Sequence, residues 1–134
     1  MTDHADHTAI LNIAHQFDFT IDSGDFDAHT ALFSDDFSFR SDFGDHDTID
    51  SYREWVEGFH AQMKEQGGTR HFALNPVVEV TGDSASMKSY LLIVSQGDGS
   101  TLGTAVCEDE FEKAGGTWKL RKRTLRADAN VTMG

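Results

Sequence analysis

Thr69-Arg70-His71-Phe72-Ala73-Leu74-Asn75-Pro76-Val77-Val78-Glu79-Val80-Thr81 decides the fold of this chain. Its β-branched and aromatic residues, in period-two alternation, read as a long strand from about Arg70 to Thr81. Three more strands are expected over 84–95, 102–113 and 117–127, with Gly82-Asp83, Gln96-Gly97-Asp98-Gly99 and Gly115-Gly116 as turns. Strands joined this tightly run antiparallel.

The residues before this meander read as helices. Ile10, Ile13, Ala14, Phe17 and Ile21 recur at helical spacing, with Asp6 or Thr8 available as cap and Gly24 just past the end. Leu11, His15, Asp18 and Asp22 form an adjacent stripe. Asp25 suits the cap of a short helix through Ala31, Leu32 and Phe33. Phe37 and Phe39 suggest a short strand, and Ser41 to Asp47 a loop. Tyr52, Trp55, Val56, Phe59 and Met63 share a face of a third helix over about 48–66, stopped by Gly67-Gly68. Helices first and an antiparallel meander afterwards define an α+β fold. A curved sheet over three helices leaves a conical cavity, the expected binding site.

A chain of 134 residues with 38% hydrophobic content and one proline predicts a single domain over 1–134, with flexible tails at about 1–7 and 129–134. Residues 1–66 hold 15 acids against 3 Lys/Arg, so they carry the whole net charge of −12; residues 67–134 hold 8 of each. Such an acidic half repels a phosphate backbone, so no nucleic-acid partner is expected. Lys119, Arg121, Lys122, Arg123 and Arg126 read as cross-strand partners of Glu108-Asp109-Glu110 and Glu112. One cysteine, Cys107, excludes an internal disulfide framework and fits a reducing compartment. No apolar stretch spans a bilayer and no leader pattern opens the chain, so a cytoplasmic location without membrane contact is expected. His4-x-x-His7 falls in a polar tail and is not a metal site. Without a ligand cluster or a glycine-rich phosphate loop, no metal and no cofactor are implied.

Thr69, His71, Ala73 and Asn75 share one face of the first long strand. Histidine is the side chain most easily poised to move a proton near neutral pH. By itself, a strand histidine of this kind is equally at home on a surface. Four acids, Asp18, Asp22, Asp25 and Asp27, cluster around the first helix end, and most of them are expected to be solvated or capping. Asp22 is different, because a carboxylate at a helix C-terminus opposes the macrodipole and calls for a compensating partner.

The order Ile21-Asp22-Ser23-Gly24-Asp25-Phe26-Asp27, Leu32-Phe33-Ser34-Asp35-Asp36-Phe37, Arg70-His71, Gly82-Asp83-Ser84-Ala85 and Gly115-Gly116-Thr117-Trp118-Lys119-Leu120 resembles the SnoaL-like families of the nuclear-transport-factor-2-like superfamily. The resemblance covers about Thr8 to Asp128. It implies a cone-shaped α+β barrel, a curved, mixed, mostly antiparallel sheet wrapped around three N-terminal helices. The chain looks most like the branch of scytalone dehydratase, hexachlorocyclohexane dehydrochlorinase and bile-acid 7α-dehydratase. These enzymes pair a strand histidine, matched by His71, with a helix aspartate, matched by Asp22. Their other polar groups are not retained: Ile21, Ser41, Gln96 and Cys107 stand where scytalone dehydratase has two tyrosines, a histidine and an asparagine, and Phe17 where the dehydrochlorinase has a lysine.

The resemblance therefore implies a cofactor-independent lyase or isomerase acting on a small hydrophobic cyclic molecule through an Asp22–His71 base. Dehydratase- or dehydrohalogenase-like elimination is favoured, and ketosteroid-isomerase-like isomerisation is the second choice. The alternative is a non-catalytic small-molecule-binding or assembly domain of the same fold. Phe17, Phe39, Trp55, Phe59 and Met63 are expected as apolar walls and Cys107 as a small pocket or core residue. Asn75, Tyr90 and Arg126 are candidates to hold an oxyanion or leaving group. Arg126 shares strand parity with Trp118 and Leu120, an orientation that a bulge would reverse. Leu91 and Ile93 alternate with Leu92 and Val94, so the sheet is expected to be covered on both faces, by a homodimer.

Overall fold

The meander forms as expected, and its register sets the rest of the molecule. A computed structural model describes residues 4–128. Helix α1 runs His4–Ser23, α2 Phe26–Thr30 and α3 Ile49–Glu65; strands are β1 Phe33–Ser41, β2 Gly44–His46, β3 Thr69–Thr81, β4 Ser84–Ser95, β5 Thr101–Ala114 and β6 Thr117–Ala127. They make one six-stranded sheet in the order β2-β1-β6-β5-β4-β3. All neighbours are antiparallel except β1 and β6, which run parallel. The sheet is curved and open, and the helices pack on its concave side.

Local chemistry explains the boundaries. Asp25 caps α2 by accepting from the Ala28 N–H at 3.2 Å, and Thr48 caps α3 by accepting from the Ser51 N–H at 3.1 Å. Gly68, at φ +84°, closes α3 by returning its N–H to the Met63 carbonyl at 2.8 Å. Gly24, at φ +77°, turns the chain after α1 so close to His60 that a Cβ there would lie 2.7 Å from the ring.

Four boundaries differ from expectation. α1 begins at His4, so His4 and His7 lie on the helix and not in a tail. Asp6 caps nothing; it accepts from Trp118 Nε1 at 2.9 Å and Lys113 Nζ at 3.3 Å, tying α1 to the sheet. Phe33 opens β1 and does not end a helix, because its ring stacks on Phe37 at 3.9 Å inside the core. The loop expected at 41–47 contains the short edge strand β2. The expected tail at 129–134 lies outside the described residues.

Ile10, Ile13, Ala14, Phe17 and Ile21 of α1 meet Tyr52 and Val56 of α3 over Met87, Phe111, Trp118 and Leu120 of the sheet. Full burial of Ile10 means that truncation to alanine costs about 2–5 kcal/mol. Two bulges matter for function. Phe111 pairs with Leu120 but Glu110 pairs with Lys122, leaving Arg121 as an extra residue in β6. In β3, the register breaks between Leu74 and Val77, where Asn75 takes φ +55° before Pro76.

Candidate active site

Asp22 faces β3 from the last turn of α1 and gathers three donors. Its Oδ2 accepts the His71 backbone N–H at 2.8 Å, and its Oδ1 accepts the Thr69 hydroxyl at 3.1 Å. The same Oδ1 lies 2.6 Å from His71 Nδ1. These bonds supply the compensation that a carboxylate at a helix C-terminus needs. An ionised carboxylate only accepts, so Nδ1 carries the proton and Nε2 keeps its lone pair. Gln96 supports the arrangement by donating from Nε2 to the Thr69 carbonyl at 2.7 Å. The side chains of His71 and Asp22 are only 5% and 13% exposed, so the pair is shielded from screening.

His71 borders a cavity between the helices and the sheet that is walled almost entirely by apolar groups. Phe17, Phe39, Trp55 and Phe59 all line it, as expected, together with Ile21, Leu91 and Ile93. The Phe59 ring stands edge-on to His71 at 6.1 Å, and Trp55 stacks on Phe59 at 6.0 Å. Met63 is buried but lies outside this cavity, beside the groove of Gly67, Gly68 and Gln96.

The fixed cation of the cavity is Arg123. Its Nε and Nη2 form a fork with Asp109 at 2.8 and 3.0 Å, and its guanidinium lies 4.0 Å over the Phe17 ring. Burial pulls its pKa down, but the Asp109 carboxylate, with further contributions from Cys107 and Asp18, outweighs burial and holds the guanidinium above the ordinary arginine range. Arg126, the inward cation expected from parity, is exposed on the outer face, because the extra residue Arg121 reverses the alternation. The expected pairing of acidic and basic strands does form, with Glu110 opposite Lys122 and Glu112 opposite Lys119, but its Arg123–Asp109 member is buried.

Three other candidates do not line the cavity. Asn75 is exposed at the β3 bulge, and Tyr90 is 57% exposed on the convex face opposite Leu74. Cys107 faces inward and packs with Leu91, Ile93 and Ala105 beneath the cavity. Burial pushes its thiol up to about 12.

Sequence reading missed Tyr52, His29 and the burial of Asp18. Tyr52 lines the cavity, and burial pushes its hydroxyl well above the ordinary tyrosine range. His29 is fully buried behind it, with Nε2 at 2.9 Å from the Tyr52 hydroxyl and Nδ1 at 2.7 Å from Thr20 Oγ1. Burial, and then the charges of Arg123 and His71, lower the His29 pKa to about 3. Asp18, one of four acids most of which are expected to be solvated or capping, is 6% exposed. Desolvation raises its pKa against the pull of Arg123.

No group of three or more His, Cys, Asp or Glu among the described residues is arranged to hold a metal ion. No helix among them is long and apolar enough to cross a membrane.

A curved, open sheet over helices, with a histidine–carboxylate pair beside an apolar cavity, has the nuclear-transport-factor-2-like, cystatin-like fold. The chain belongs to the SnoaL-like domain family, whose profile matches residues 2–124. A cystatin-like-fold protein of unknown function from Nostoc punctiforme superposes with TM-score 0.87 at 24% identity, over 98% of each chain. An NTF2-like protein from Novosphingobium aromaticivorans reaches 0.84 at 18% identity, over 96% of this chain and 85% of that one. A proposed scytalone dehydratase from the same organism reaches 0.76 at 21% identity, over 92% and 85%. No curated protein matches the chain.

Proposed function

We propose that this protein is a cofactor-independent lyase or isomerase in which His71, oriented by Asp22, removes a proton from carbon in a small hydrophobic cyclic substrate. The observation that carries the reading is the 2.6 Å Nδ1–Oδ1 contact on the wall of an apolar cavity. It leaves Nε2 as the proton acceptor, and Asp22 stabilises the imidazolium that forms. Aromatic walls suit a flat or cyclic hydrocarbon skeleton and exclude water. Arg123 is a preorganised positive charge for an enolate oxygen or a departing anion. That charge, and the likeness of the dyad to the dehydratase branch, favour elimination. His71 would take the C–H proton, its electron pair would become the new C=C bond, and the leaving group would depart with the electrons of its own bond.

Proton–deuterium exchange tests the base without knowledge of the leaving group. Incubated in heavy water with a panel of cyclic ketones, the protein should exchange an acidic C–H in at least one. His71→Ala should slow that exchange by about 10²–10⁴-fold. Exchange at undiminished rate in both His71→Ala and Asp22→Asn would remove the dyad mechanism and leave the binding-domain alternative.

A homodimer through the sheet belongs to the same reading. Phe72, Leu74, Val77 and Tyr90 are 42%, 41%, 62% and 57% exposed on β3 and β4, an apolar patch in need of cover. Light scattering should give twice the chain mass, and Phe72→Asp should halve it; a wild-type monomer at micromolar concentration would refute the interface. A cytoplasmic setting is supported by the single free thiol, Cys107.

A further inference from the structure

Gly103 lies buried inside β5, on the same inward face as Ala105 and Cys107, and it lines the apolar cavity. A glycine inside a strand loses more backbone freedom on folding than any other residue and packs no side chain, so it weakens the strand. The backbone gives no reason for it here. Gly103 does not take the positive φ of turn glycines such as Gly82 and Gly115. The register does slip beside it: Ile93 pairs with Gly103 and Val94 with Thr101, which leaves Leu102 as an extra residue in β5. A bulge requires glycine only where it sets a residue at positive φ, and no residue of this one does so. The remaining reason for a strand glycine is the close approach of something else to the backbone.

Its place in the sheet says what approaches. His71 pairs with Ile93, and Ile93 pairs with Gly103, so three cavity-lining residues stand in one row across β3, β4 and β5. Two strand spacings, about 10 Å, separate the ends of that row. The row starts at the dyad and ends where a side chain is missing. On the helix side the same cavity is walled by Trp55 and Phe59, stacked at 18°. We propose that Gly103 is a specificity-determining residue, whose missing side chain makes room for the part of a ligand that extends beyond the ring beside His71. The inference rests on the proposed use of this cavity and deepens it by setting the length of ligand admitted. A single ring at His71 ends over Ile93, whereas a fused second ring, or a substituent of that bulk, reaches Gly103. A Cβ at position 103 would share the direction of the Ala105 Cβ. Gly103→Val therefore shortens the cavity at the end away from the dyad and leaves His71 and Asp22 untouched.

The test compares a one-ring and a two-ring ketone, cyclohexanone and 2-tetralone, in the wild type, Gly103→Ala and Gly103→Val. NMR titration gives the affinity of each, and deuterium exchange in heavy water gives the rate. Gly103→Val should weaken 2-tetralone by about tenfold or more, the discrimination that an added methylene gives in an apolar pocket. Cyclohexanone should stay within about twofold, and Gly103→Ala should fall between wild type and valine. Thermal melting checks the fold, and Gly103→Ala should melt no lower than the wild type, since it removes a flexible residue from a strand. Should the valine variant fail to fold, the same comparison in Gly103→Ala decides alone. Size-dependent binding without exchange of either ketone in the wild type would remove the base role of His71 and leave that of Gly103 standing. Equal weakening of both ketones, undiminished 2-tetralone affinity in the variants, or a wild type that binds neither ketone would overturn the proposal.

Discussion

His71 and His29 are both buried, and they are connected in opposite ways. His71 gives its Nδ1 proton to a carboxylate and lines an apolar cavity. His29 commits both nitrogens to neutral hydroxyls, Thr20 at 2.7 Å and Tyr52 at 2.9 Å. With no anion beside it, burial and the positive charges of Arg123 and His71 hold His29 neutral down to about pH 3. Burial among neutral hydroxyls keeps His29 uncharged, whereas the base role proposed for His71 depends on its carboxylate partner.

The largest way to disturb this contrast is through Arg123, whose charge His29 feels and whose guanidinium lines the cavity. Arg123→Met leaves Asp109 buried and unpaired, and the loss of stability should be about 3–5 kcal/mol in chemical denaturation. Replacing Asp109 by leucine in the same chain should recover most of that loss. Failure to recover would mean that the pair does more for packing than its charges require.

A smaller effect separates the histidines by pH. The folded-state pKa of His29 lies below its unfolded value, so the unfolded chain binds the extra proton between about 6.5 and 3. His29 therefore makes stability fall as the solution is acidified through that window, by about 1.4 kcal/mol per pH unit at most. Melting temperature against pH should show the slope, and His29→Gln should flatten it. Asp18 acts with the opposite sign, because its folded-state pKa is raised. Its stabilising contribution is present in acid and lost as pH rises through that folded-state value.

The parts of this site that follow a period were legible in the sequence. β3 alternates without interruption from Thr69 to Leu74, which set His71 on one face with Thr69 and Ala73 but left open whether that face is inward. Its pairing with Asp22 was implied by the family resemblance, and the structure brings the two within 2.6 Å. Asn75 failed at the point where that alternation breaks. Arg123 was hidden by the extra residue Arg121; the five-residue spacing of Leu120 and Leu125, odd for one face of a strand, was the available signal. Asp18 sat in a stripe with Leu11, His15 and Asp22 but followed the fully inward Phe17, and its burial depends on the sheet beneath it. His29 had no pattern around it, since its partners Thr20 and Tyr52 come from two other helices. The strand β2 is three residues long and is held by its pairing to β1, which no local propensity reports.

The tautomer of His71 tests the central claim most directly. A long-range proton–nitrogen NMR spectrum distinguishes a protonated Nδ1 from a protonated Nε2 in a neutral ring. The account predicts the Nδ1–H form for His71 in the wild type and an altered distribution in Asp22→Asn. An Nε2–H ring, or the mixture typical of a free imidazole, would contradict a base held by Asp22 with its lone pair available on Nε2.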